Sequence, residues 1–225
     1  MKALAPAPNL VEQVHEALLG EIASGQLGPG DRIIQEQIAQ ALGVSRQPVQ
    51  QALALLRNQG VLHDAPGRGL IVAPLDPGHV QHMYDIRAVI EGLAGRRAAE
   101  GQAEKAARQG PALIEAGRKA VAAGSVAKMI AADMRFHEFI YALSGNPLVA
   151  PALATHLTYT QRVMGEVLIR DEHPRDIWDQ HDQILQAITR GDGEQAEALV
   201  RAHITQAAGF MVARLRNQGS ARATG

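Results

Sequence analysis

Four side chains of metal-binding type recur at helical spacing in the second half of this 225-residue chain. Asp133 and His137 stand one helical turn apart, on the same apolar stripe as Val126, Met129, Ile130, Phe136, Ile140 and Leu143. His181 falls in the middle of a stripe of Ile177, Trp178, Ile184, Leu185 and Ile188. His203 falls in the middle of another, made by Ala196, Leu199, Val200, Ala207, Phe210 and Met211. One histidine on an apolar face is ordinarily a satisfied core residue. Three of them with a core-facing carboxylate pose a harder problem, because a buried unpaired Asp is costly or goes neutral. A divalent cation removes that cost, since neutral imidazoles and a carboxylate are its preferred N/O ligands. The alternatives are an ion-free polar network in the core, or a catalytic metal that activates water. Against catalysis, catalytic zinc usually keeps three protein ligands rather than four, and no further acid or base is evident beside the set.

Arg87 extends the constellation. It shares the stripe of Val80, Met83, Tyr84, Ile90 and Ala94 with Glu91. A core-facing arginine needs a partner, and its planar fork suits a carboxylate bidentately. That carboxylate belongs either to a bound effector or to Glu91 or Asp133. Tyr159 and Arg162 are further candidates to line an effector pocket, and His156 is left open as ligand or pocket residue. His15, His63, His79, His82 and His173 read as surface or hinge residues.

Helices must hold these groups, and the composition suits helices. Aromatic residues make up only 3% of a chain that is 46% hydrophobic and rich in alanine, which favours helices packed through small side chains. The absence of cysteine excludes disulfides, thiolate zinc sites and a cysteine nucleophile. No apolar run approaches the roughly 20 residues needed to span a bilayer, and Met1 to Asn9 lack the pattern of a secretory signal. A cytoplasmic protein without membrane partners is expected. The turn-rich Pro74-Leu75-Asp76-Pro77-Gly78 marks a boundary between domains at 1–75 and 76–225. The second domain reads as helices at about 79–100, 103–123, 125–144, 147–170, 175–190 and 193–216. Gly110-Pro111 is expected to divide the second of these, and Asn217 to Gly225 to fray.

The first domain reads differently. Helices are expected from Leu10 to Ala23, from about Gln35 to Leu42, and from a Ser45 N-cap to about Asn58, with Gly43 between the last two. Val61-Leu62-His63 and Leu70-Ile71-Val72 flank a turn at residues 65–69, which makes a hairpin. Together these form a winged helix-turn-helix. Its third helix would present Ser45, Arg46, Gln47, Gln50 and Gln51 to the major groove, where Arg suits guanine and Gln suits adenine. Arg68, between Gly67 and Gly69, would approach a phosphate or the minor groove. Net charge gives no help, because five basic residues face six acidic ones over residues 1–75. The pattern alone carries the inference.

Leu27-Gly28-Pro29-Gly30-Asp31-Arg32-Ile33, Gln37-Ile38-Ala39, Leu42-Gly43-Val44-Ser45-Arg46-Gln47-Pro48-Val49 and the Gly67-Arg68-Gly69 tip resemble the N-terminal domain of GntR-type regulators. The resemblance implies DNA contacts at Ser45, Arg46, Gly67 and Arg68. Gln50 and Gln51 depart from it: the family commonly has arginine at the first and often an acid at the second. The second half resembles the FadR-type FCD effector domain through Asp133-Met134-Arg135-Phe136-His137, Gly145-Asn146-Pro147, His181, Ile184, Gly191-Asp192, Ala196 and His203. That resemblance implies an antiparallel helical bundle in which one Asp and three His bind zinc, nickel or a similar divalent ion. It also implies a small carboxylate effector reached by Arg87. The function expected is a ligand-responsive regulator, working as a homodimer on a pseudo-palindromic DNA operator. Effector binding would shift the two winged helices through residues 74–78.

Overall fold

The computed structural model describes residues 9–168 and 177–223, with side chains to residue 217. His173, the His173-Pro174 break and the segment Met1 to Pro8 lie outside the described residues. The chain forms two compact units, Met1–Pro74 and Leu75–Gly225.

In the first unit, α1 (Leu10–Ala23), α2 (Gln35–Leu42) and α3 (Arg46–Asn58) enclose a core that includes Val14, Leu18, Val49, Leu53 and Leu56. Gly43 ends α2 in the left-handed region (φ 64°), its N–H bonding back to Ala39 and Gln40, so α3 can start three residues later. Ser45 occupies the N-cap of α3, but its hydroxyl makes no capping hydrogen bond. An N-cap oxygen bonds the N–H of the second or third helical residue, and the third here is Pro48, which has none.

Three strands complete the unit: β1 (Arg32–Ile33), β2 (Leu62–Asp64) and β3 (Leu70–Val72), antiparallel in the order β1-β3-β2. His63 pairs with Ile71 across the hairpin, and Arg32 pairs with Ile71 from the other side. The expected two-stranded hairpin thus gains a third strand. At two residues, β1 is too short to show an alternation in sequence.

The second unit contains α4 (Pro77–Ala122), α5 (Val126–Leu143), α6 (Val149–Leu168), α7 (Ile177–Thr189) and α8 (Gly193–Ala223). Asp76 caps α4 by accepting from the Gly78 N–H, with Pro77 at its first position, and Ser125 caps α5 by accepting from Lys128. The helix α4 corrects one expectation. Gly110-Pro111 does not divide it, whereas the non-helical Gln102 (φ −140°, ψ 26°) falls at the boundary expected between 79–100 and 103–123. Gly110 and Gly117 are buried against α7, where an added Cβ would overlap Leu185 and Trp178 respectively. Burial along that face holds the helix together, although an interior proline costs about 3 kcal/mol. A second correction concerns α8, which stays helical to Ala223 instead of fraying from Asn217.

Gly92 and Gly95 bring α8 close to α4, against Arg201 and Val200. The core that results is built from residues such as Met83, Phe136, Leu153, Val163, Ile184 and Ile204. Among the described residues, no helix is long and apolar enough to cross a membrane.

Candidate metal and effector site

The helical phases of α5, α7 and α8 bring Asp133, His137, His181 and His203 together. One ligand atom from each lies within 4.8 Å of all the others. His181 Nε2 stands 3.2 Å from His203 Nε2 and 3.5 Å from Asp133 Oδ1, and His137 Nε2 stands 3.9 Å from Asp133 Oδ2. The three imidazoles are buried.

Two acceptors behind the histidines set their tautomers. Gln180 Oε1 lies 3.0 Å from His203 Nδ1. Glu91 Oε2 lies 2.7 Å from His137 Nδ1, off the ideal hydrogen-bond direction but within ion-pair range. An acceptor at Nδ1 calls for a proton there, which leaves Nε2 as a lone pair aimed at the cluster. His181 Nδ1 is buried without a hydrogen-bond partner. Lone pairs and a carboxylate crowded into a buried space fit a divalent cation, and a purely polar network fits them poorly.

The electrostatics agree. Burial, then His137, pushes His203 down to about 3, and burial lowers His181 well below the usual histidine range. Both therefore stay neutral near pH 7 and can ligate. Burial raises Asp133, against the pull of His137 and Arg87. Burial would also lower His137, but Glu91 reverses that and raises it.

Arg87 is paired within the protein. Its Nε donates to Glu91 Oε1 at 2.6 Å and its Nη1 to Thr160 Oγ1 at 3.0 Å, while its guanidinium lies 4.8 Å from the Tyr84 ring centre. Burial would raise Glu91, yet Arg87 and His137 hold it at about 2. Sequence reasoning placed Glu91 on the right stripe but missed its reach to His137. It gave no hint of Gln180 or Thr160 as partners.

A cavity of about 220 Å³ adjoins the cluster, and its walls include Arg87, Asp133, His137, Thr160 and His203. Tyr159 and Arg162, expected as effector contacts, are not among its described lining residues. The residues of α6 that line the cavity are Thr160, Met164 and Leu168. The Tyr159 ring instead meets His79 at 4.8 Å, and the Arg162 guanidinium sits 5.8 Å from the Tyr159 ring. His156 joins neither the donor cluster nor the lining, and its carbonyl accepts the Thr160 hydroxyl.

In the first unit, Ser45, Arg46, Gln47, Gln50 and Gln51 lie exposed along one side of α3, opposite the buried Val49, Ala52, Leu53 and Leu56. Gly67 (φ 97°) and Gly69 (φ 95°) flank the exposed Arg68. Arg46 pairs with Glu36 of α2, with both side chains largely exposed. Arg32, Arg46 and Arg68 border one cleft that also contains Glu36.

An exposed recognition helix with a wing, in one chain with a helical bundle that encloses a donor cluster and a cavity, defines a DNA-binding transcription regulator with an effector domain. The chain belongs to the gntR family of bacterial regulatory proteins, whose model matches residues 10–72, and an FCD domain matches residues 82–206. An HTH-type transcriptional regulator in the TAR-I ttuE-ttuC' intergenic region of Agrobacterium vitis is 32% identical over 139 residues, 60% of this chain and 81% of that one. The HTH-type transcriptional repressor RspR of Escherichia coli K12 is 24% identical over 203 residues, 90% and 89% of the two chains. The structure of E. coli McbR/YncC shares the fold, with a TM-score of 0.80 at 22% identity over 91% of this chain and 98% of that one. So does a GntR-type regulator from Rhodococcus sp. RHA1, with a TM-score of 0.75 at 21% identity over 92% and 99%. The family and these relatives are regulators, which sets the catalytic-metal alternative aside.

Proposed function

We propose that this protein is a cytoplasmic, homodimeric repressor that releases its operator when a small carboxylate binds beside a divalent metal ion. The observation that carries the reading is the convergence of three imidazole Nε2 atoms and the Asp133 carboxylate beside a cavity that Arg87 also lines. Asp133, His137, His181 and His203 would hold zinc, nickel or a similar ion, which supplies Lewis acidity for a carboxylate oxygen. Arg87, oriented by Glu91 and Thr160, would turn its guanidinium to the same carboxylate. The apolar walls exclude water and strengthen both attractions.

On the DNA side, Arg46, Gln47 and Gln50 would read base edges, with Ser45, Gly67 and Arg68 at the backbone or minor groove. The repressor sign is supported by the RspR relative, itself a transcriptional repressor. A dimer is supported by Ile86, Val89 and Leu93, which expose an apolar stripe along α4 at three- and four-residue spacing.

The deciding experiment is thermal unfolding against a panel of small carboxylates, before and after chelation. A ligand of the folded state raises stability by about 2.7 kcal/mol at a hundredfold excess over its Kd. A rise that chelation abolishes, matched by release of operator DNA, is expected. A large drop on chelation with no response to any carboxylate would make the metal structural and refute the sensor.

A further inference from the structure

The polar groups of the cavity gather mostly at one end, and Gln206, about one turn beyond His203 on α8, is the polar side chain on the wall that leads away from it. On α6, Thr160 stands at the Arg87 end, and Met164 and Leu168 follow one and two turns along. On α8, His203 is followed two turns on by Phe210 and Met211. On α5, Met129 lies one turn beyond Asp133, and on α7, Trp178 lies just under a turn from His181. Met164, Leu168 and Phe210 belong to one apolar cluster. Two turns of helix measure about 11 Å, so the described walls form a largely apolar slot of roughly that length leading away from the donors.

From this geometry we infer that the effector is a monocarboxylate carrying a compact apolar body, aromatic or branched aliphatic, and not a polyhydroxy acid or tricarboxylate. The inference rests on the reading of this site as a carboxylate sensor. The head occupies the end marked by Arg87 and Thr160, and the body lies against the methionines, Leu168, Trp178 and Phe210. An apolar cavity of about 150 Å³ takes up benzene, so about 220 Å³ has room for a ring with its carboxylate. Extra hydroxyls or carboxylates along that wall would find Gln206 as the one polar side chain among its described residues, so several such groups would be buried unpaired, which costs affinity. Methionine side chains adapt to ring or branched shapes with little strain.

Trp178 is the only tryptophan in the chain and lines the cavity, so its fluorescence reports binding directly. The full-length protein, loaded with zinc, is titrated with acetate, isovalerate, benzoate, tartrate and citrate. Benzoate and isovalerate are expected to bind at least about tenfold more tightly than acetate, or about 1.4 kcal/mol. Tartrate and citrate are expected to bind more weakly than acetate. Met164→Gln, close in volume, is expected to weaken benzoate at least about fivefold and to leave acetate unchanged. Citrate or tartrate binding as tightly as benzoate, or a Met164→Gln protein with unaltered benzoate affinity, would overturn the apolar body while leaving the carboxylate sensor standing. Binding of none of the five acids would overturn both.

Discussion

Glu91 and His137 stand 2.7 Å apart, Oε2 to Nδ1, both buried in the second unit. The other oxygen of the same carboxylate holds Arg87 Nε at 2.6 Å. One acidic group therefore fixes the tautomer of a candidate metal ligand and the position of the candidate effector arginine. Metal and effector cannot be independent if both bind there, and each must change the affinity of the other by the same factor.

Glu91→Gln keeps the shape and removes the charge. The buried Arg87 then loses its counter-ion, a loss of about 3–5 kcal/mol for pairs of this kind. Urea unfolding of the chelated protein measures it, and stability equal to wild type would show that the pair is not what holds Arg87. Zinc affinity in a chelator competition is expected to fall about 10- to 100-fold, the usual effect of losing a partner behind a ligating histidine.

Acid is expected to destabilise the metal-free protein. Burial, then His137, holds His203 at about 3, and burial also lowers His181. In the unfolded chain both take up protons near pH 6.5. Between roughly pH 6.5 and 3 the unfolded state therefore binds more protons, and stability falls as the pH drops. Glu91 adds to this loss: burial opposes its charge, but Arg87 and His137 hold it at about 2, so its contribution drains away on acidification. His137 has the opposite sign, because its raised pKa gives stability that is complete below about 6.5 and lost as the pH rises. Asp133, raised by burial, shares the sign of His137, but the two strongly lowered imidazoles and Glu91 outweigh these two groups, so melting temperature in chelator should fall between pH 6.5 and 4, and His203→Gln should flatten the fall. A flat wild-type profile would contradict the burial argument.

Arg46→Ala is expected to abolish specific binding to an operator selected from random duplexes. Stability should change by no more than about 0.5 kcal/mol, because the side chain is exposed and a surface ion pair contributes little. Glu36→Gln should act in reverse: it frees Arg46 and removes a negative charge from the cleft of Arg32, Arg46 and Arg68, so affinity rises. Gel-shift titrations at two salt concentrations decide both, and unchanged operator affinity in Arg46→Ala would remove that residue from the interface.

Val89→Asp places a charge in the centre of the exposed stripe on α4. If that stripe joins two copies, light scattering at micromolar concentration should show a monomer with an unchanged helical spectrum. A dimer of undiminished stability would place the interface elsewhere.

Helical phase made the donor set legible, because one turn separates Asp133 from His137, and His181 and His203 each sit inside an apolar stripe. Gly43 and the Gly67-Arg68-Gly69 tip made the winged helix legible for a similar local reason. What stayed hidden depends on how neighbouring helices are rotated. The link from Glu91 to His137, the cap of Gln180 on His203 and the turn of Thr160, rather than Tyr159, toward the cavity are fixed only after α4, α6, α7 and α8 meet. The break at Gln102 was legible, since it falls between the expected helices at 79–100 and 103–123; the continuity through Gly110-Pro111 was not, because that pair looks like a breaker locally and tertiary contact with α7 decides the matter.

Gly110 and Gly117 lie seven residues apart on α4, and the side chains they receive, Leu185 and Trp178, lie seven apart on α7 in the opposite direction. The two helices are therefore keyed at two points about two turns apart, like teeth engaged with matching notches. His181 lies between those teeth, so its height along the bundle is set by the notches. A slip of one turn would carry its imidazole about 5.4 Å, more than the whole spread of the donor cluster. Two residues with no side chain, neither of them a ligand, set the gauge of the site.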